Sequence, residues 1–452
     1  MNTVIIETKS EFEEFYERSK SFDWIVVPTF CNGDKPVYID SLSVLYIYVL
    51  QLDEEVMLVF NHTEGLTLQE SILQSFPKET KLFVYNKKKF KKFLDQPNLI
   101  DMNMVEYFHN NQPIEDDFET PAHEFFTRNF GTFANLNTII PITKHIEKSQ
   151  AITQRFLDVF DYFQEDAAFK AYNEIILDSL YQIEVNGLFA NYSLFKKKFE
   201  KGRLYENFAY SEYNPYTTTG RPSNRYGGIN FAALKKDDGS RLPFVSRHGE
   251  NGFMISFDYD AYHLRLLAEL LDYKFPVDAS VHHYLGSFYF GKTELSEAEY
   301  RESKAISFRQ LYGGIGEEYL EIPFFSQVHE YTKLLWNKYR EEDYIETPVF
   351  GRKLFNSFFT DMNAAKLLNY LLQSFETERN MAVVHNLLSR ISSYSSKLIL
   401  YTYDSFLFDF DRRDGGQILL EIKEELEQNG KYPVKLEIGT DYHNMQVVKR
   451  KI

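Results

Sequence analysis

Cysteine is almost absent from this chain of 452 residues: Cys31 stands alone. A single thiol excludes an intrachain disulfide and a cysteine-based zinc cluster, and it suits a reducing, cytoplasmic setting. Long apolar runs are missing too. The most apolar stretch, residues 42–50, is far shorter than the roughly 20 residues needed to span a bilayer, and mean hydropathy is -0.39, so no membrane segment is expected. The opening residues carry Glu7, Glu11, Glu13 and Glu14 without a basic-then-apolar pattern, which does not read as a signal peptide. Positive charge is in deficit, with 50 Lys and Arg against 66 Asp and Glu and a net charge of -16. That balance argues against a general polyanion binder, although clustering matters more than the sum.

What is present is globular. The length suits about three domains and a large core, and 44% hydrophobic with 26% charged residues is not the signature of disorder. With 41 Phe and 32 Tyr, aromatics reach 17%, enough for stacking surfaces as well as core. Residues 196–250 hold 11 Lys or Arg against 6 Asp or Glu, a local basic patch on an acidic body.

Short β-branched and aromatic runs at 24–27, 56–60 and 82–85 alternate with polar helical stretches such as 87–94, which predicts an α/β N-terminal domain. Helical apolar spacing follows over 143–183. Residues 201–234, with Pro215, Gly220, Pro222, Gly227 and Gly228, read as a loop-dominated, basic, aromatic surface. A buried-type strand at 253–257 runs into Asp258 and is followed by an amphipathic helix at 262–271. A mainly helical insert occupies about 276–340. A second apolar strand at 398–403 meets Asp404 and Ser405 before 406–408 returns as a hairpin.

An acid at the end of an apolar strand is costly unless it is paired or binds a cation. Either aspartate alone reads more readily as a turn or helix cap. Together, Asp258 and Asp404 could hold a pair of divalent ions, the arrangement phosphoryl transfer needs, with Mg²⁺ suited to carboxylates plus substrate phosphates. Tyr300, Lys304, Phe308 and Tyr312 recur every four residues and share one broad helix face. A Lys one turn before a ring could grip a triphosphate while the ring covers a base, or the face could be ordinary amphipathic surface. Gly313 and Gly314 end that helix and could let it swing.

Several ordered motifs over about 172–443 resemble the family A, bacterial polymerase I-like, DNA polymerases. The stretch Thr217-Thr218-Thr219-Gly220-Arg221-Pro222-Ser223-Asn224 with Ile229-Asn230 is similar to the T-x-T-G-R-L-S-S primer-template motif and its downstream Asn. Phe257-Asp258-Tyr259-Asp260-Ala261-Tyr262-His263-Leu264-Arg265 resembles motif A, and Tyr300 to Gly313 resembles motif B with Lys304, Phe308 and Tyr312 in register. His282 sits where the family has a His facing the incoming nucleotide, Asn369 and Gln373 resemble its N-x3-Q pair, and Tyr403-Asp404-Ser405 resembles motif C.

The resemblance implies a multidomain α+β and α/β chain, a right-hand polymerase palm and fingers behind an N-terminal RNase H-like exonuclease-type domain. The expected spans are 1–165 for the degenerate exonuclease-like domain, 166–275 for the first palm part with a reduced thumb at about 188–210, 276–345 for the fingers and 346–452 for the remaining palm. It implies Asp258 and Asp404 as ligands of two Mg²⁺ ions, with Mn²⁺ a substitute, and Lys304 on the triphosphate. Tyr259, His263, His282, Arg301, Phe308 and Tyr312 are the implied nucleotide contacts, and Arg221, Asn230, Asn369 and Gln373 the primer-template contacts. Primer-template DNA, dNTPs and a processivity or replisome protein are the expected partners.

Departures from the family pattern qualify this. His263 replaces the Glu that crowds the nucleotide 2′ position, so relaxed sugar selection is expected. Tyr300 replaces an Arg, with Arg301 as the neighbour able to reach in its place. Tyr403 and Ser405 replace His and Glu. The first-strand stretch Ile25-Val26-Val27-Pro28-Thr29-Phe30 lacks the D-x-E of a proofreading site, Lys87-Lys88-Lys89-Phe90 follows Asn86 where a second acid would lie, and Asp101 and Asp158 read as surface acids. A template-directed DNA polymerase without proofreading is the leading reading, and a compact variant of this kind would suit a bacteriophage. A single-subunit RNA polymerase and a non-catalytic nucleic-acid-binding replisome scaffold remain the alternatives.

Overall fold

The computed structural model describes residues 3–32, 36, 39–114, 121–130, 135–276 and 280–448. The chain forms two compact units, Met1–Tyr181 and Gln182–Ile452. In the first unit, β1 (Val4–Ile6), β2 (Trp24–Phe30), β3 (Leu42–Val49), β4 (Glu54–Val59), β5 (Leu82–Val84) and β6 (Leu99–Asp101) form one sheet in the order β1-β4-β3-β2-β5-β6. β2, β3 and β4 make an antiparallel meander, β5 runs parallel to β2, β6 to β5, and β1 to β4. The first five residues of β2 are all buried, because a central strand covered on both faces needs apolar residues at successive positions and not at alternate ones. The helix Lys9–Ser19 starts at a capping box in which Thr8 and Glu11 satisfy each other's backbone N–H groups. It lays Phe12 and Phe15 on this core, Phe15 with its ring 5.3 Å from Trp24.

The second unit is built on a five-stranded antiparallel sheet whose spatial order is Lys397–Thr402, Ser405–Asp411, Gly252–Tyr259, Val434–Gly439 and Met445–Val447. Its central strand is apolar through Met254, Ile255 and Phe257, all wholly buried. Removing one such side chain, as in Phe257→Ala, costs about 3–5 kcal/mol. The helix Tyr262–Leu270 follows this strand, and the helix Ala364–Arg390, 27 residues and roughly 40 Å long, carries a stripe of Leu367, Leu368, Leu371, Leu372 and Phe375 into the interior. The expected helical insert consists of Val281–Phe290, Glu297–Gly313 and Pro323–Glu342. Ser296 and Glu299 cap the second of these, and Gly314, at φ 92°, ends it in a conformation open to glycine.

Residues 188–210 contain one short helix, Tyr192–Lys198, between the paired strands Leu188–Phe189 and Phe208–Ala209. Leu188, Ala190, Phe195 and Ala209 join the sheet-side core with Phe244, Met254 and Leu407. No helix among the described residues is long and apolar enough to cross a membrane.

Candidate active site

Asp258 lies one residue before the end of its strand, with Ser405 as its backbone partner on one side and Lys435 on the other. Asp404 occupies the two-residue turn between the Lys397 and Ser405 strands, where Thr402 pairs with Ser405. That turn is strained. Tyr403 sits in the left-handed region at φ 64°, which costs a non-glycine residue roughly 1–2 kcal/mol. Three contacts hold it: the Arg221 guanidinium stacks 3.6 Å from the Tyr403 ring centre, the Tyr403 carbonyl accepts from Asn380 Nδ2 at 2.7 Å, and the Asp404 carbonyl accepts from the Tyr259 N–H at 2.9 Å. Ala261, at φ 52°, is a second left-handed residue three positions after Asp258.

Asp404 is exposed by its own surface area, yet the protein around its carboxyl still desolvates it. That desolvation pushes its pKa up to about 6, and the nearby charges of Glu376 and then Asp258 add to the shift. Arg221 and His263 face Glu376, whereas Asp258 and Asp404 come together at one end of the sheet, and two carboxylates so placed suit a hard divalent ion. No set of three or more His, Cys, Asp or Glu side chains forms a metal cage among the described residues.

Beside this turn lies a buried network. Glu376, 1% exposed, directs Oε1 to His263 Nε2 at 3.1 Å and Oε2 to Arg221 Nε at 2.9 Å. The second pair is an ion pair set off the line of a good hydrogen bond. Burial alone would raise the Glu376 pKa; the charge and hydrogen bond of His263, then the charge of Arg221, outweigh it and hold the carboxyl below its usual range. On its other side, His263 Nδ1 meets the Tyr312 hydroxyl at 2.8 Å. Burial, then the Glu376 charge, pushes that phenol up to about 12. The Tyr312 carbonyl accepts from Asn369 Nδ2 at 3.2 Å, and Thr219 donates its hydroxyl to Gln373 Oε1 at 3.1 Å. Gly220, at φ 74°, makes the turn between Thr219 and Arg221 that lets both reach the long helix.

On the Glu297–Gly313 helix, Phe308 and Tyr312 are 43% and 42% exposed, with rings parallel within 4° and 6.0 Å apart. Lys304 Nζ stands 4.7 Å over Tyr300. The helix therefore presents two half-open rings and a cation on one face.

The structure thus brings Asp258, Asp404, His263, Tyr312, Arg221, Asn369 and Gln373 together. Others are placed differently. The Tyr259 side chain is 6% exposed, stacked on Tyr262 at 4.2 Å, and donates its hydroxyl to the Leu426 carbonyl. Strand alternation turns it away from the face Asp258 uses, which corrects the expectation of a nucleotide contact from this side chain. Arg301 is exposed and ion-paired to Glu297 one turn earlier. Asn230 is exposed at the end of a short strand paired with Arg225. His282 is 2% exposed, packed near Tyr300 and Phe308, with Nδ1 buried and unpartnered. Burial, then the Lys304 charge, pushes its pKa down to about 4, so it is neutral at pH 7. Asp101 is not a surface acid: it is wholly buried, and its carboxylate accepts from the backbone of Met104 at 2.7 Å and Lys87 at 2.6 Å. Asp158 is exposed. Glu376 escaped the sequence reading, although a carboxylate four residues after Leu372 on an apolar stripe was the available signal.

No protein-family model and no curated protein matches the chain. Among solved structures, the fold is similar to the POL domain of Pol1 from M. smegmatis in complex with DNA primer-template and dNTP. The TM-score is 0.72 at 14% identity, covering 98% of this chain and 100% of that one. The fold is therefore that of a polymerase domain.

Proposed function

We propose that the chain is a template-directed DNA polymerase of the family A, bacterial polymerase I-like type, which adds dNMPs to a primer 3′-hydroxyl without proofreading. The observation that carries this reading is the meeting of Asp258, the Asp404 turn and the Tyr312 end of the Lys304 helix at one end of one sheet. Asp258 and Asp404 are the residues that would hold two Mg²⁺ ions, and the anions gathered around Asp404 are the donor set such ions fit. When bound, the ions supply charge neutralisation at the attacking and leaving oxygens. Lys304 neutralises the triphosphate, and Phe308 and Tyr312 stack against the nascent pair. Arg221, Asn369, Gln373 and the exposed Asn230 position the primer-template. Most of the rate then comes from positioning and electrostatics.

Palm, fingers and a reduced thumb are assigned to the second unit, except that residues 166–181 of the expected palm span belong to the first. The first unit is read as a degenerate exonuclease-like domain: its meander followed by strands parallel to β2 supports that fold, and β2 carries no acid. The solved neighbour's complex supports primer-template DNA and dNTPs as partners. A processivity protein would compensate for the short 188–210 segment. Primer extension on a defined template, with dNTPs and rNTPs supplied separately, tests the reading. Magnesium-dependent, template-matched extension is expected; its absence refutes it.

A further inference from the structure

Glu376 is a charged side chain in the interior of a 27-residue helix, one turn after the apolar Leu372 and beside a polar buried stretch that includes Thr377, Glu378 and Asn380. A buried carboxylate is tolerated only where its oxygens are satisfied. Here each oxygen serves a different segment of the chain: one faces His263, the other Arg221. His263 continues to Tyr312, at the end of the helix that carries Lys304 and Phe308. Arg221 continues, by stacking, to Tyr403, the strained residue that presents Asp404.

We propose that Glu376 is a positioning residue which links the Tyr312 end of that helix to the Asp404 turn, so that the two halves of the site are set together. The proposal rests on the polymerase reading for its consequence in catalysis, but not for its geometry. An ionised carboxylate only accepts, so Nε2 of His263 carries the proton that faces it, and Nδ1 meets the Tyr312 hydroxyl whether or not it also carries one. The same carboxylate restrains Arg221 over Tyr403. A glutamine at 376 offers one oxygen and one NH₂ group; with donors on both sides, its NH₂ must confront either His263 or Arg221. One arm of the link is then lost whichever way the amide turns.

The test has two arms, both on the full chain. In the first, ¹⁵N NMR of the histidine rings and arginine Nε–H groups, with His263 and Arg221 assigned by substitution, is expected to show Nε2 of His263 protonated in the wild type and, in Glu376→Gln, either appearance of the Nδ1–H tautomer or a shifted Arg221 Nε–H signal, according to which way the amide turns. A variant in which both the His263 and the Arg221 signals are unchanged overturns the proposal. In the second, single-nucleotide extension is measured for Tyr312→Phe, Arg221→Lys and the pair of substitutions together. With Glu376 present, the combined loss in kcat/KM should fall short of the product of the two single losses by about threefold or more, and in the Glu376→Gln background the losses should multiply. Multiplicative losses in both backgrounds overturn the proposal. If Glu376→Gln does not fold, Glu376→Asp keeps the buried charge but withdraws it by one methylene, and the same outcomes are read from it. A wild type that extends no primer refutes the polymerase reading, while the first arm still decides whether Glu376 holds His263 and Arg221.

Discussion

Replacing Asp404 by asparagine should make the metal-free protein more stable while abolishing nucleotide addition. The folded chain holds the Asp404 proton more tightly than the unfolded chain, because burial and the carboxylates of Glu376 and Asp258 raise its pKa from 3.8 to about 6. Between these two values the folded state binds more protons, so stability falls as pH rises, and above about 6 the whole penalty is present. Undiscounted, a rise of that size is worth about 3 kcal/mol. The side chain is open to water, and solvent screening reduces this to about 1 kcal/mol. The asparagine amide is neutral and removes the penalty, so in EDTA at pH 7.5 the melting temperature of Asp404→Asn should exceed that of the wild type by about 2–4 °C. Below about pH 3, where the wild-type carboxyl is protonated in both states, the two should melt together. Added Mg²⁺ should raise the wild type and narrow the gap, since a ligand of the folded state stabilises it by mass action. Scanning calorimetry across pH, with and without Mg²⁺, measures all three effects. An Asp404→Asn protein that is less stable at pH 7.5 in EDTA, or a gap independent of pH, refutes the reasoning.

Three other outcomes are expected. A mismatched primer should survive incubation with Mg²⁺ or Mn²⁺, because β2 carries no acid, Asp101 is committed to backbone N–H groups and the Lys87 ammonium lies buried beside it against the Asn173 carbonyl; metal-dependent 3′ excision that persists in Asp404→Asn contradicts this. His263→Glu should destabilise the protein by about 3–5 kcal/mol by setting a second carboxylate against buried Glu376, and adding Glu376→Gln should recover most of the loss; denaturant unfolding of the single and double variants checks both statements. Lys196 and Lys198 donate to the carbonyls of Gly202 and Asp238, whereas Lys197 and Lys201 are exposed cations of the same segment that can face DNA. Reversing both should flatten the slope of log affinity against log salt by about 0.9 for each phosphate no longer neutralised, and an unchanged slope removes this segment from the DNA interface.

Much of the site was legible because its residues carry local pattern. Asp258 interrupts an apolar strand, Asp404 sits between two such strands, and Lys304, Phe308 and Tyr312 keep helical spacing, so each announces itself within a dozen residues. The two aspartates meet because neighbouring antiparallel strands align Asp258 with Ser405, a register the apolar pattern helps to set. Glu376 was not legible in this way: its two partners lie 113 and 155 positions earlier in the sequence, and only the fold brings them to one carboxylate. Tyr259 and Asp101 were misread for related reasons. Motif position says nothing about which side of a strand a ring takes, and an aspartate after a short strand looks the same whether it faces water or caps a buried helix. His282 shows the same limit, since its burial and neutrality come from Tyr300 and Phe308 packing around it across a helix pair.

Template-directed nucleotide addition is proposed to depend on Asp258 and Asp404. The most direct measurement is single-nucleotide primer extension on four templates that differ only in the first unpaired base, with each dNTP offered in turn to the wild type, Asp258→Asn and Asp404→Asn. The wild type should add, with Mg²⁺, only the nucleotide complementary to the template base, and neither variant should add any while both still retain the primer-template. Extension that ignores the template base, or that persists at wild-type rates in either variant, contradicts the account.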